Sequence, residues 1–146
     1  MENKRILLTI LSVATYIICL VLNIAVFISD IPITMKNVIV TLIYISVLIL
    51  ATILEIIIKN IKIVKYLSMF WFATLFSGVL LVYINTINTI GLTPHWMTPF
   101  MVLFISPWCG LGYFVNSNIL NAIIITLISL IMFIITVISL KHTKSA

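Results

Sequence analysis

The chain reads as an all-α integral membrane protein with four transmembrane helices, both termini cytoplasmic, and a short interfacial or re-entrant helical segment between the third and fourth spans. Three observations carry this reading. The composition is 64% hydrophobic and only 8% charged, with a mean hydropathy of +1.38, well beyond the roughly 45–50% apolar and ~25% charged usage of soluble domains. Four apolar runs, three of them free of charge and one carrying a single carboxylate, are each close to the ~20 residues that cross a ~30 Å hydrocarbon core. The basic residues sit at the ends of those runs, where they act as topology signals.

The first run, Ile6–Ile28, follows the basic head Lys4-Arg5. It is longer than the ~7–15 residues of a signal-peptide core and lacks a small-residue cleavage site, so it is expected to be an uncleaved span. A connection at Ser29–Asn37 carries Asp30, Pro32 and Lys36. The second span, Val38–Ile58, is closed by the lysine-rich stretch Lys59–Lys65, the strongest orientation signal in the chain. The third span, Tyr66–Ile84, opens with Tyr66, Phe70, Trp71 and Phe72, which suit an interfacial aromatic belt. The fourth, Ile119–Leu140, is uncharged and ends in a Lys141–Lys144 tail. All 146 residues form one membrane domain, with no stretch left over for a soluble one.

Residues 85–118 form the segment between the third and fourth spans, and Thr93–Asn118 concentrates three of the four prolines and two of the three tryptophans. Phe100–Val115 is apolar but short, and is interrupted by Pro107, Gly110 and Gly112. Counting it as a fifth span would place Lys141 and Lys144 outside. With four spans, Lys4, Arg5, Lys59, Lys62, Lys65, Lys141 and Lys144 share the cytoplasmic side and Lys36 alone lies outside, the stronger fit to the positive-inside rule. Thr93-Pro94 and Thr98-Pro99 read as N-caps followed by proline at the first helical position. A helix over 99–105 is predicted to stop ahead of Pro107, with Gly110 and Gly112 providing a turn or a close backbone approach. The preferred placement is an aromatic cap on the outer face, and the alternative is a re-entrant loop, which requires its backbone to be buried in protein or to line a wet cavity.

Small and polar residues recur on one face of each span. Ser12, Thr15, Cys19 and Asn23 mark the first, and Thr41, Tyr44, Thr52 and Glu55 the second. Ala73/Ser77 and Thr74/Gly78 form small-xxx-small pairs on the third, and Ala122, Thr126, Ser129 and Thr136 follow one face of the fourth. Helix packing accounts for these stripes. Glu55 is the one acidic residue inside a predicted span and therefore marks a candidate intramembrane site, grouped with Thr52, Tyr44 and Asn23. The competing expectation is a structural pair with Lys59, four residues on, with both side chains reaching the interface.

Little else in the sequence carries chemistry. His95 and Cys109 share the outer segment, but no third residue is evident to orient the histidine as a base for a thiolate. No metal-ligand spacing, phosphate loop, HExxH, GxSxG or CxxC is present, and no metal or cofactor is implied. The basic balance of +5 is explained by topology and gives no reason to expect nucleic acid. Rich Ile, Asn and Lys usage points to a bacterial, AT-rich source and a plasma-membrane location. The leading expectation is a non-catalytic protein that works by contact with a membrane-protein partner or its own copies, as an immunity or resistance protein or as an accessory subunit of a transport or secretion complex. Its interaction surface would be His95, Trp96, Phe100, Phe104, Trp108 and Tyr113. A small oligomeric transporter or channel using Glu55 is the first alternative, and an intramembrane cysteine enzyme the second.

Overall fold

The computed structural model describes residues 2–29, 31–87, 97–115 and 117–144, with side chains placed from residue 7 onward within those ranges and outside 87 and 143–144. Five α-helices are present among the described residues, α1 (Glu2–Ser29), α2 (Met35–Ile57), α3 (Ile61–Ile87), α4 (Thr98–Ile105) and α5 (Asn118–Lys144), with a 3-10 helix, Ser106–Tyr113, directly after α4. No strand occurs among the described residues. Helices α1, α2, α3 and α5 each contain an apolar stretch long enough to cross a membrane. The protein is thus a four-span, all-helical membrane protein.

Each boundary has a local cause. Thr34 precedes α2 in an extended conformation, and its amide and hydroxyl both donate to Asn37 Oδ1, at 3.0 and 2.6 Å, which stabilises the first turn. At the other end α2 stops at Ile57. Lys59 adopts the left-handed conformation, φ 57°, and the Asn60 amide reaches back to the Glu55 carbonyl at 3.1 Å, in the manner of a left-handed C-cap. The expected lysine-rich loop over 59–65 is therefore shorter, because α3 resumes at Ile61 and carries Lys62 and Lys65 in its first two turns. Helix α4 begins at Thr98 with Met97 at the N-cap and without a side-chain capping bond, one position earlier than the threonine-cap reading of Thr98. The corresponding reading of Thr93 lies outside the described residues.

The spans pack as two pairs, α1 with α2 and α3 with α5. The second pair is the more intimate, and the small-residue stripes explain why. A Cβ built on Gly78 would lie 2.7 Å from Thr126 Oγ1 and 3.4 Å from its Cα, so the two backbones meet where both stripes offer little bulk. Thr74, Ser77, Ala122, Ser129 and Thr136 are all fully buried. Between the two pairs lies the hairpin of α4 and the 3-10 helix, which packs on α1, α2, α3 and α5.

This hairpin is re-entrant and not a cap. Its Pro107 carbonyl accepts from Cys19 Sγ at 3.2 Å, and Cys19 lies ten residues before the end of α1, a depth of about 15 Å or roughly half the hydrocarbon thickness. The chain does not turn at the glycines by positive φ; Gly110 and Gly112 both belong to the 3-10 helix. Gly110 is needed for close approach instead, because a Cβ there would fall 2.5 Å from the Asn37 carbonyl oxygen and 2.5 Å from Thr41 Oγ1.

Candidate functional site

Irregular backbone at membrane depth must find hydrogen-bond partners in protein, and here α1 and α2 supply them. Thr41 Oγ1 donates to the Pro107 carbonyl at 3.0 Å and accepts from the Gly110 amide at 3.3 Å and from Asn23 Nδ2 at 3.0 Å. Asn37 Nδ2 donates to Asn23 Oδ1 at 2.9 Å and to the Leu22 carbonyl at 3.1 Å. Asn23, Asn37, Thr41 and Cys19 thus form one buried polar knot that holds the hairpin at depth. The polar stripes of the first two spans predict Asn23, Cys19 and Thr41 on shared faces. Asn37, expected in the connection, is the member that sequence reasoning missed, and its signal was the Thr34–Asn37 capping pattern.

Below the knot, on the side of the lysine-rich helix ends, the aromatic side chains close a ring. Tyr16 meets Tyr44 at 6.0 Å, Tyr44 meets Trp108 at 6.1 Å, and Trp108 meets Trp71 at 6.3 Å. Trp71 meets Phe70 at 6.0 Å, and Phe70 returns to Tyr16 at 5.9 Å. Phe104 meets Phe70 at 5.7 Å with the rings tilted by 58°, and Trp71 Nε1 donates to Thr52 Oγ1 at 3.2 Å. Two expectations change here. Trp108 does not face a partner; it is fully buried, because the hairpin dips inward and the large indole gains most by filling the centre. Trp71 does not belong to an interfacial belt; it too is fully buried, whereas Tyr66 and Phe72 are exposed.

Beneath the aromatic ring lies a cavity of about 490 Å³ between α1, α2 and α3, roofed by Tyr16, Tyr44 and Phe104. The α1 and α3 backbones stay apart, which leaves a side opening lined by the exposed Val13 and Tyr66. One wall is a single face of α2, namely Tyr44, Leu48, Ala51 and Glu55, at the i, i+4, i+7, i+11 spacing of a helical stripe. Glu55 is 2% exposed, and neither carboxylate oxygen has a hydrogen-bond partner. The expected pair with Lys59 does not form because α2 has already ended and Lys59 has left the helical register. At the opposite end of the same wall the Tyr44 hydroxyl is also buried and unpartnered.

The sequence-level grouping of Glu55, Thr52, Tyr44 and Asn23 is thereby divided. Glu55 and Tyr44 face the cavity, Thr52 holds Trp71, and Asn23 belongs to the knot. Of the expected surface residues, Phe100 and Tyr113 are exposed, Phe104 is half-buried in the cavity roof, and His95 and Trp96 lie outside the described residues. Cys109 is partly buried and lines a second cavity of about 260 Å³ toward the other membrane face, with Asn85, Asn118 and Asn121. Among the described residues no group of three or more His, Cys, Asp or Glu side chains gathers as metal ligands would. Compared with known protein families, curated proteins and solved structures, the chain matches none.

Proposed function

We propose that this protein is a carrier for an apolar cation, with Glu55 as the group that binds the cation and exchanges it for a proton. The observation that carries the reading is the buried, unpartnered Glu55 carboxylate on the wall of the 490 Å³ cavity. An ionised carboxylate without a partner in an apolar site is strongly disfavoured, so the site is satisfied by a proton or by a cation, and the two compete. The cavity falls within the ~300–1,000 Å³ range of small-molecule sites, and its walls are apolar apart from Glu55, Thr9, Ser12 and three tyrosines. The other titratable groups on its walls are Tyr16 on α1, Tyr44 on α2 and Tyr66 on α3; α4 contributes only Phe104. The aromatic ring and the hairpin close the route past the cavity, which favours a carrier over an open channel.

Purified protein in weakly buffered detergent should release protons on titration with an apolar ammonium ion, and Glu55→Gln should not. In proteoliposomes an imposed pH gradient should drive accumulation of the same labelled ion above the level in Glu55→Gln vesicles. Equal proton release and equal accumulation in the two proteins would refute the proposal.

A second reading keeps the immunity or accessory role. It rests on the exposed aromatic side chains Phe100, Tyr113 and Phe114 on the hairpin. Co-purification of a membrane partner that is lost in Phe100→Ala and Tyr113→Ala, with proton release absent from wild type, would favour it. We further assign both termini to the cytoplasm of a bacterial plasma membrane, on the seven-to-one distribution of basic residues.

A further inference from the structure

We infer that the ligand of the Glu55 cavity is a single-chain primary alkylammonium amphiphile that enters sideways from the leaflet next to the lysine-rich helix ends. The inference rests on the cation-binding reading of Glu55 and names the ligand class.

Three features of the cavity define that class. The first is the position of the charge. Glu55 lies two residues from the end of α2, close to the lysine-rich end of the span, whereas Tyr44 lies eleven residues deeper on the same face, about 16 Å along the helix. A ligand filling this space has its cation toward that end and an apolar body running toward the bilayer centre, the arrangement an amphiphile already has in a leaflet.

The second is the wall. Between Glu55 and Tyr44 the lining is mostly apolar, from Leu8, Val13, Leu48, Ala51, Leu67 and Phe70, and its two small hydroxyls are Thr9 and Ser12, of which Ser12 donates to the Leu8 carbonyl at 2.9 Å; a compact hydrophilic cation would need more polar groups than these in place of its hydration shell. Binding strength should therefore come from chain methylenes as well as from the charge. The side opening between α1 and α3, past Val13 and Tyr66, admits a chain directly from lipid.

The third is the hydrogen-bonding state of the carboxylate. Both Glu55 oxygens lack donors. A primary ammonium brings three donors, whereas a quaternary ammonium brings none and leaves both oxygens unsatisfied. The head accordingly carries N–H donors, and among ammonium ions the primary form supplies the most.

The test uses the full-length protein in nanodiscs of zwitterionic lipid, with equilibrium dialysis and tryptophan fluorescence as readouts and Glu55→Gln nanodiscs as the control for partition into lipid. Dodecylamine should bind saturably, at least ~100-fold tighter than butylamine, and at least ~10-fold tighter than dodecyltrimethylammonium. Dodecanol should show only partition. Glu55→Gln should lose saturable dodecylamine binding. Ala51→Leu, which keeps the carboxylate but fills the channel beneath it, should weaken dodecylamine at least ~10-fold and narrow its gap to butylamine. Butylamine binding as tightly as dodecylamine, with both lost in Glu55→Gln, would overturn the amphiphile assignment while leaving the cation site standing. Equal binding of the primary and quaternary heads would overturn the headgroup assignment. Dodecanol saturating like dodecylamine, or Glu55→Gln binding as wild type does, would remove the cation site and the ligand class together.

Discussion

Thr41→Val tests whether the re-entrant hairpin is held by the polar knot. Valine keeps the branched shape of threonine and removes the hydroxyl, which makes three of the bonds around the hairpin: to the Pro107 carbonyl at 3.0 Å, from Asn23 at 3.0 Å and from the Gly110 amide at 3.3 Å. Side-chain hydrogen bonds between membrane helices average ~0.6 kcal/mol, so three of them contribute about 2 kcal/mol. Pro107 keeps its bond from Cys19 at 3.2 Å, so the hairpin is loosened and not released. A loss of 2 kcal/mol is roughly a 30-fold shift in the folding equilibrium. SDS-titrated unfolding in mixed micelles, followed by tryptophan fluorescence, reads it, because Trp71 and Trp108 sit in the aromatic ring beneath the knot. Thr41→Ser restores the hydroxyl and should recover most of the loss. A Thr41→Val change below about 0.5 kcal/mol, or equal losses in Val and Ser, would refute the knot as the anchor, since both outcomes fall outside what three lost bonds predict.

Further outcomes follow from the same geometry. Gly110→Ala should destabilise by about 1–3 kcal/mol, because its Cβ would strike the Asn37 carbonyl oxygen, a backbone atom that cannot swing aside. Gly112→Ala should cost less than about 1 kcal/mol, since its nearest neighbour is the flexible Ile33 Cδ1 tip at 2.8 Å; the same unfolding titration ranks the two. Trp108→Ala should lower stability by about 3–5 kcal/mol through the void left in the core, and an unchanged unfolding midpoint would argue that the indole is not packed inside the helix bundle. A reporter fused after Ala146 should read as cytoplasmic, and an external signal would overturn the assigned orientation. Maleimide should modify the partly buried Cys109 well before the fully buried Cys19; equal rates would contradict the packing of Cys19 against Pro107.

The membrane class, the four spans and the face of each helix that turns inward are legible in the one-dimensional pattern. They depend on run length and on helical period, both of which are local. Thr74, Ser77 and Gly78 on α3 and Ala122 and Ser129 on α5 could be assigned to an interface from spacing alone, since polar and small groups in lipid must face protein. Helix ends were less legible, because Ile57 and Ile61 bracket a turn whose left-handed Lys59 carries no glycine or asparagine signal.

From residue order alone Glu55 is the lone carboxylate within a span, and the segment from Thr93 to Asn118 is uncharged, aromatic and broken by proline. Where each one sits follows from packing between distant parts of the chain. Whether Glu55 pairs with Lys59 depended on the helix continuing for two more residues, and it does not. Whether the aromatic segment lies on the surface or enters the bundle depended on partners from distant parts of the chain. Asn23, Asn37 and Thr41 provide hydrogen bonds at depth, and Gly110 admits the backbone beside α2. Trp108 therefore completes a buried aromatic ring, and the space left beneath that ring is where Glu55 stands without a partner.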